Sequence, residues 1–184
     1  MNLQNPKKFK MLVDQAHEVA LNVLRPISRK YDKAEHAYPK ELDMLAALVD
    51  GMNQAGDGMN AGAAVNKRGD TSTGNKNGVN MSTALSIVEM CYGDTGLLLS
   101  MPRQGLGNSA IAAVANEEQL QRFNGVWAAM AITEPNCGSD SAAIRTTATK
   151  VDNEYILNGE KIFVTSGDRA DAVVVWATLD KKLG

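Results

Sequence analysis

Cysteine and histidine are scarce in this sequence: Cys91 and Cys137 lie far apart, and His17 and His36 sit away from both. No spacing among the four resembles a metal site, and in a reducing compartment both thiols are expected to stay free. No excess of one charge is present either. The formal net charge is -2, with acids and bases spread along the chain, which argues against a nucleic-acid or membrane-surface face and favours small ligands. Long apolar runs are missing as well. Nothing reaches the length that crosses a bilayer, and the start, Met1 to Lys10, is polar and lysine-bearing without the apolar core of a secretory leader. A cytoplasmic location is the expectation.

What is present reads as a globular chain. Its 184 residues, 44% apolar and 22% charged, suffice for a core and fit neither a disordered nor a fibrous protein. Phe9, Leu12, Val13, Ala16, Ala20, Val23 and Leu24 recur at helical spacing, with Pro26 as the predicted stop. A second helix is predicted from Pro39 through Leu42, Leu45, Ala46 and Val49 to Gly51, antiparallel to the first. From Gly56 to Asn80 the sequence is rich in Gly, Asn, Lys and Thr and reads as loop. Gly56, Gly58 and Gly62 do not have the spacing of a dinucleotide-binding loop. Helical signals resume at Met81, Ala84, Leu85, Val88 and Cys91, which places Cys91 in a core, and again from Asn108 through Ile111, Ala112 and Ala115 to Leu120.

Beyond Phe123 the character changes. Asn158-Gly159 between Tyr155-Ile156-Leu157 and Ile162-Phe163-Val164-Thr165 predicts a two-residue hairpin, and Ala172 to Thr178 predicts a buried strand. The fold class is therefore α+β: a helical domain over 1–125, then the start of an antiparallel β-domain over 126–184. So few strands leave an exposed sheet edge, so the stop at Gly184 is read as a truncation or as a surface awaiting another chain.

The junction between the two parts carries the chemistry. Trp127-Ala128-Ala129-Met130-Ala131-Ile132-Thr133-Glu134-Pro135-Asn136-Cys137-Gly138-Ser139-Asp140 is a short strand running into Thr-Glu-Pro and a Gly-Ser-Asp turn. Such a patch offers backbone donors, two hydroxyls and a carboxylate, which suits an anionic or carbonyl-rich ligand. This segment resembles the first signature of the acyl-CoA dehydrogenases. Asn158-Gly159-Glu160-Lys161-Ile162-Phe163-Val164-Thr165-Ser166-Gly167 resembles the second, at the family's distance downstream. Gly93 to Ser100 and Asn116 to Phe123 are similar to the helical segments that precede them.

The resemblance implies a subunit of three parts, helical, β and helical, of which this sequence ends inside the second. It implies FAD as cofactor and α,β-dehydrogenation of an acyl-CoA thioester to the trans-2-enoyl-CoA in fatty acid β-oxidation. Electrons would pass to an electron-transfer flavoprotein, and the assembly would be a homotetramer. Carried over position by position, it puts Met130, Ala131, Ile132 and Thr133 along the pyrimidine edge of the flavin, where donors favour the charge that reduction brings. Phe163, Val164 and Thr165 would lie at the other side of the ring, with Thr165 near N5. The family commonly has Trp where Phe163 stands, so an indole donor is lost there. Ser139 would meet both cofactor and the thioester portion of the substrate. Asn136 replaces the usual Gly and is expected to keep the turn by tolerating a left-handed backbone; Cys137 is a linker residue.

Glu134 is a tempting base for the substrate α-proton, but the resemblance makes it a structural member of its motif, with the catalytic carboxylate coming from the carboxy-terminal domain. No catalytic residue is assigned. Two other readings share these residues: a non-catalytic subunit that needs a companion chain, and a flavin monooxygenase of the same fold.

Overall fold

Residues 7–54, 79–102 and 106–180 are described by the structure, a computed structural model. Most of the loop expected over 56–80 lies outside the described residues, and so do Lys181 to Gly184. The chain divides into two units, residues 1–61 with 68–102, and residues 62–67 with 103–184. The change of residue character marks 125/126, whereas the contacts divide at Pro102 and Arg103.

In the first unit, α1 (Lys10–Val19) continues through a π-helical turn (Ala20–Leu24) into α2 (Arg25–Lys33). The stop expected at Pro26 does not occur. A proline ring crowds the carbonyl four residues before it and offers no amide, and a widened turn ahead of it relieves both demands. Pro26 then occupies the first turn of α2, where an amide is dispensable.

The first helix packs chiefly on α4 (Val79–Leu99) rather than pairing with α3 (Lys40–Gln54). Gly93 of α4 permits this approach, because a Cβ there would stand 2.8 Å from the Ala20 carbonyl oxygen and 2.9 Å from Leu24 Cβ. Ala16, Leu24, Leu42, Leu45, Met90, Leu97 and Met101 form the core. Leu24 and Leu42 are fully buried, each worth about 1.5–3 kcal/mol in removed apolar surface. Cys91, expected in this core, is only half-buried.

Asp94 breaks α4, with φ -171° and ψ 120°. Its carboxylate accepts from the Leu97 amide at 2.8 Å and from the Ser28 hydroxyl, so one side chain restarts the helix and ties it to α2. Among the described residues no helix is long and apolar enough to cross a membrane.

The second unit begins with α5 (Leu106–Val114) and α6 (Glu117–Arg122), the latter started by a reciprocal cap between Asn116 and Gln119. Strand β1 (Ala128–Ala131) pairs with β4 (Ala172–Val175), while β2 (Thr147–Val151) pairs with β3 (Glu154–Asn158). Helices plus a small β region make the α+β class expected. Two strand expectations need correction. The β1–β4 pair is parallel, with Ala128 opposite Ala172 and Ala131 opposite Val175, because the long excursion from 132 to 171 brings the chain back in the same direction. Its strand β4 is also not fully buried: Val173 and Val175 are 44% and 37% exposed.

The hairpin turns at Asp152-Asn153, with Asp152 at φ 53°, and not at Asn158-Gly159. Gly159 serves close packing instead, since a Cβ there would meet Thr146 Oγ1 at 2.3 Å.

Small residues let α5 lie against β1. A Cβ on Gly107 would come within 2.3 Å of the Ala129 carbonyl oxygen. Next to it Asn108, 1% exposed, donates to the Val126 carbonyl at 2.7 Å and accepts from the Ala128 amide at 3.0 Å, which fixes where β1 starts. Ile111, Ala115 and Ala128 make the local core.

Candidate functional site

The end of β1 is anchored through three successive carbonyls. That of Ala131 accepts from the Trp176 amide at 3.0 Å, that of Ile132 from Lys161 Nζ at 2.9 Å, and that of Thr133 from the Ile162 amide at 2.9 Å. The two sequence signatures, nearly thirty residues apart, are thereby joined side by side. These bonds also explain why Ile162 to Thr165 is irregular rather than a strand: its first backbone donor is committed to Thr133, not to a hairpin partner.

Residues Glu134 to Cys137 form a tight turn closed in both directions, Cys137 amide to Glu134 carbonyl at 3.2 Å and Glu134 amide to Cys137 carbonyl at 2.9 Å. Pro135 supplies the fixed φ such a turn favours at its second position. The non-glycine left-handed positions among the described residues are Asp152, Phe163 and Ser166, so Asn136 completes the turn without the left-handed backbone expected of it.

Glu134 is buried, and its carboxylate is fully engaged. Oε1 accepts from Lys161 Nζ at 2.8 Å and from the Thr146 amide at 2.9 Å, and Oε2 accepts from the Arg145 amide at 2.7 Å. The Cys137 thiol points at Oε2 from 3.8 Å. Burial alone pushes the carboxyl up, but the Lys161 ammonium and the donors of Thr146 and Arg145 outweigh it and hold the group well below the usual carboxylate range. A base must take up a proton at working pH, and this carboxylate is built not to.

The predicted ligand-facing residues fall in three groups. Met130 is half-buried and Ala131 buried in β1, while Ile132 and Thr133 are half-buried just past its end. Phe163, Val164 and Thr165 lie on the adjoining segment, Phe163 being 87% exposed and the other two half-buried. Ser139 is exposed on the turn after Gly138, where a Cβ would touch Thr133 Cγ2 at 3.8 Å. The hydroxyls of Thr133, Ser139 and Thr165 form no hydrogen bond among the described residues.

Phe163 has φ 57°, a left-handed conformation that costs an aromatic residue about 1–3 kcal/mol and that proteins keep mainly where surroundings impose it. The turn that follows is closed by Gly167 donating to the Val164 carbonyl at 3.1 Å and by Ala170 donating to that of Ser166 at 2.9 Å. Sequence reasoning did not single out Lys161 or Asn108. The signal for Lys161 was a lone cation directly before the apolar run Ile162-Phe163-Val164, a position where an ammonium needs a buried partner. Among the described residues, no cluster of three or more His, Cys, Asp or Glu side chains is arranged to hold a metal ion.

Residues 129–184 match the profile "Acyl-CoA dehydrogenase, middle domain". The short-chain specific acyl-CoA dehydrogenase of Clostridium acetobutylicum is 30% identical over 192 residues, covering all of this chain and 47% of its own length. Butyryl-CoA dehydrogenase from Megasphaera elsdenii superposes with a TM-score of 0.69 at 25% identity, over all of this chain and 47% of that one. A glutaryl-CoA dehydrogenase from Mycobacterium smegmatis in complex with FADH2 shares the fold, with a TM-score of 0.71 at 21% identity over 95% of this chain and 43% of that one. The chain spans between 23% and 47% of the length of curated relatives it matches.

Proposed function

The chain belongs to the acyl-CoA dehydrogenase family, and from that premise we propose that it supplies one wall of an FAD site for the α,β-dehydrogenation of an acyl-CoA thioester. The observation that carries this reading is the junction itself. Two half-buried hydroxyls with no hydrogen bond among the described residues, Thr133 and Thr165, lie on segments held together by the bond from the Ile162 amide to the Thr133 carbonyl. Phe163 presents an exposed aromatic face on the same segment.

That donor set fits a flat heteroaromatic ring. Neutral hydroxyls suit its carbonyl and nitrogen edge, the aromatic side chain suits its face, and the nearby carboxylate of Glu134 is neutralised and buried so that it does not repel charge arriving on the ring. FAD, when bound, supplies the acceptor for the hydride that leaves the β-carbon.

This chain's residues have the tasks of binding and orienting. Met130, Ala131 and Ile132 line the pyrimidine edge and keep water from it, and the Thr133 hydroxyl donates there. Phe163 and Val164 would lie against the ring, and the Thr165 hydroxyl would face its N5 side. Ser139, on the exposed turn beside Thr133, meets the thioester portion of the substrate. The α-proton goes to a carboxylate outside these residues, since Glu134 already accepts three strong hydrogen bonds.

In the complete protein the division 1–125 and 126–184 is the proposed domain boundary, supported by the family match that starts at Ala129. A cytoplasmic homotetramer acting in β-oxidation, with an electron-transfer flavoprotein as electron acceptor, completes the proposal. The test is an absorbance titration with FAD followed by anaerobic addition of an acyl-CoA. A shifted flavin band supports the site, and its absence in a protein extended to the length of its relatives overturns it. Bleaching on acyl-CoA addition to the present chain would mean that the base lies within it.

A further inference from the structure

Lys161 is 9% exposed in its side chain, and its ammonium makes two contacts of different kinds. It donates to Glu134 Oε1 at 2.8 Å, a charge pair, and to the Ile132 carbonyl at 2.9 Å, a backbone contact. The first is a matter of stability, because a buried carboxylate left without its cation is costly. The second is a matter of position. Lys161 directly precedes Ile162, whose amide binds the Thr133 carbonyl, so the ammonium and the amide together grip two consecutive peptide units at the end of β1.

We propose that Lys161 is a positioning residue for the ligand site: its hold on the Ile132 carbonyl sets the spacing between the Thr133 hydroxyl and the Phe163 to Thr165 segment. This rests on the FAD reading of the site. The geometry gives a physical reason for it. One contact between two irregular segments leaves a hinge, whereas two contacts from adjacent residues remove the rotation about it. The left-handed backbone of Phe163, two residues on, is held in a sparsely populated conformation only if its flanks are fixed.

The two jobs separate by mutation. In Lys161→Met both are lost. In the pair Glu134→Gln with Lys161→Met the uncompensated charge is gone, while the Ile132 carbonyl still lacks its partner. The measurements are thermal unfolding, hydrogen exchange at the Ile162 amide, and the position of the bound flavin band during titration with FAD. Lys161→Arg serves as the conservative control, since a guanidinium can donate to both acceptors.

The expected result is that the paired variant regains most of the thermal midpoint lost in Lys161→Met, yet exchanges the Ile162 amide at least about tenfold faster than the parent. It also binds FAD roughly tenfold more weakly with an altered band, the scale typical when a supporting hydrogen bond behind a ligand is removed. Lys161→Arg recovers the exchange protection and the band. If the paired variant recovers midpoint, protection and flavin band alike, Lys161 is merely a counter-ion and the proposal is overturned. If the parent sequence, extended to the length of its relatives, protects Ile162 but takes up no FAD, the flavin reading itself is wrong and the positioning role for that ligand falls with it.

Discussion

The helical unit and the strand-bearing unit are held together by different physics. In the first, large aliphatic side chains, Leu24, Leu42, Leu45, Met90 and Leu97, fill a common core, and the polar pins between its helices, Ser28 to Asp94, His17 to Glu89 and Tyr31 to Glu41, are only partly buried. In the second, the apolar cluster is small, with Ile111, Ala115 and Ala128 at its centre, and buried polar groups do much of the fixing. Asn108 bridges α5 to the start of β1, and Glu134 with Lys161 locks the end of β1 to a distant segment. Apolar packing is non-directional and tolerates small shifts, whereas a hydrogen-bonded ion pair specifies where atoms sit. A site that must meet a rigid ring needs the second kind of order.

The comparison is broken most severely by removing one partner of the buried pair. Lys161→Met leaves Glu134 charged and uncompensated and is expected to cost about 3–5 kcal/mol, measured by denaturant unfolding. A loss below about 1 kcal/mol would mean that water reaches the carboxylate. Core truncation in the helical unit comes next: Leu24→Ala removes a fully buried side chain and is expected to cost about 2–5 kcal/mol without changing exchange protection at Ile162. Asn108→Ala orphans the Val126 carbonyl and the Ala128 amide, for about 1–3 kcal/mol. A variant as stable as the parent would remove Asn108 from the comparison.

Acid sharpens the same contrast. The folded state binds the Glu134 proton more weakly than the unfolded chain, so its stabilisation is complete above the ordinary value of 4.5 and fades as pH falls below it, with protonation of the folded carboxylate ending the effect. The parent should lose stability faster below that pH than the paired Glu134→Gln, Lys161→Met variant, and parallel curves would contradict the assignment. The smallest effect is expected at Thr133→Val. The thermal midpoint should hardly move, since the hydroxyl has no hydrogen-bond partner among the described residues, while FAD affinity should fall about fivefold, one hydrogen bond's worth. A parent-like flavin titration would take Thr133 out of the site.

The helices of the first unit were legible because their apolar residues recur at helical spacing, and the α+β class was legible because that spacing gives way to β-branched runs after Phe123. The two signatures were legible as residue patterns at a family's spacing, which is a one-dimensional property. Pro26 misled because a local rule was overridden: the π turn before it, seated against Gly93, costs little once a neighbouring helix covers it. Asn158-Gly159 misled because the glycine there answers a close approach of Thr146 and its own φ of 158°, at the end of a strand rather than in the hairpin's turn.

What the sequence determined by itself is therefore local and patterned: which stretches are helical, which residue types gather at the Thr133 and Thr165 signatures, and that Glu134 belongs to a motif. Tertiary structure alone decided the parallel pairing of β1 with β4, the partner of Glu134 and the irregular path of Ile162 to Thr165. The physical reason is that these depend on contacts between residues nearly thirty or more positions apart. A backbone amide or an ammonium has many acceptors within reach in the chain, and only the folded arrangement makes one of them the nearest.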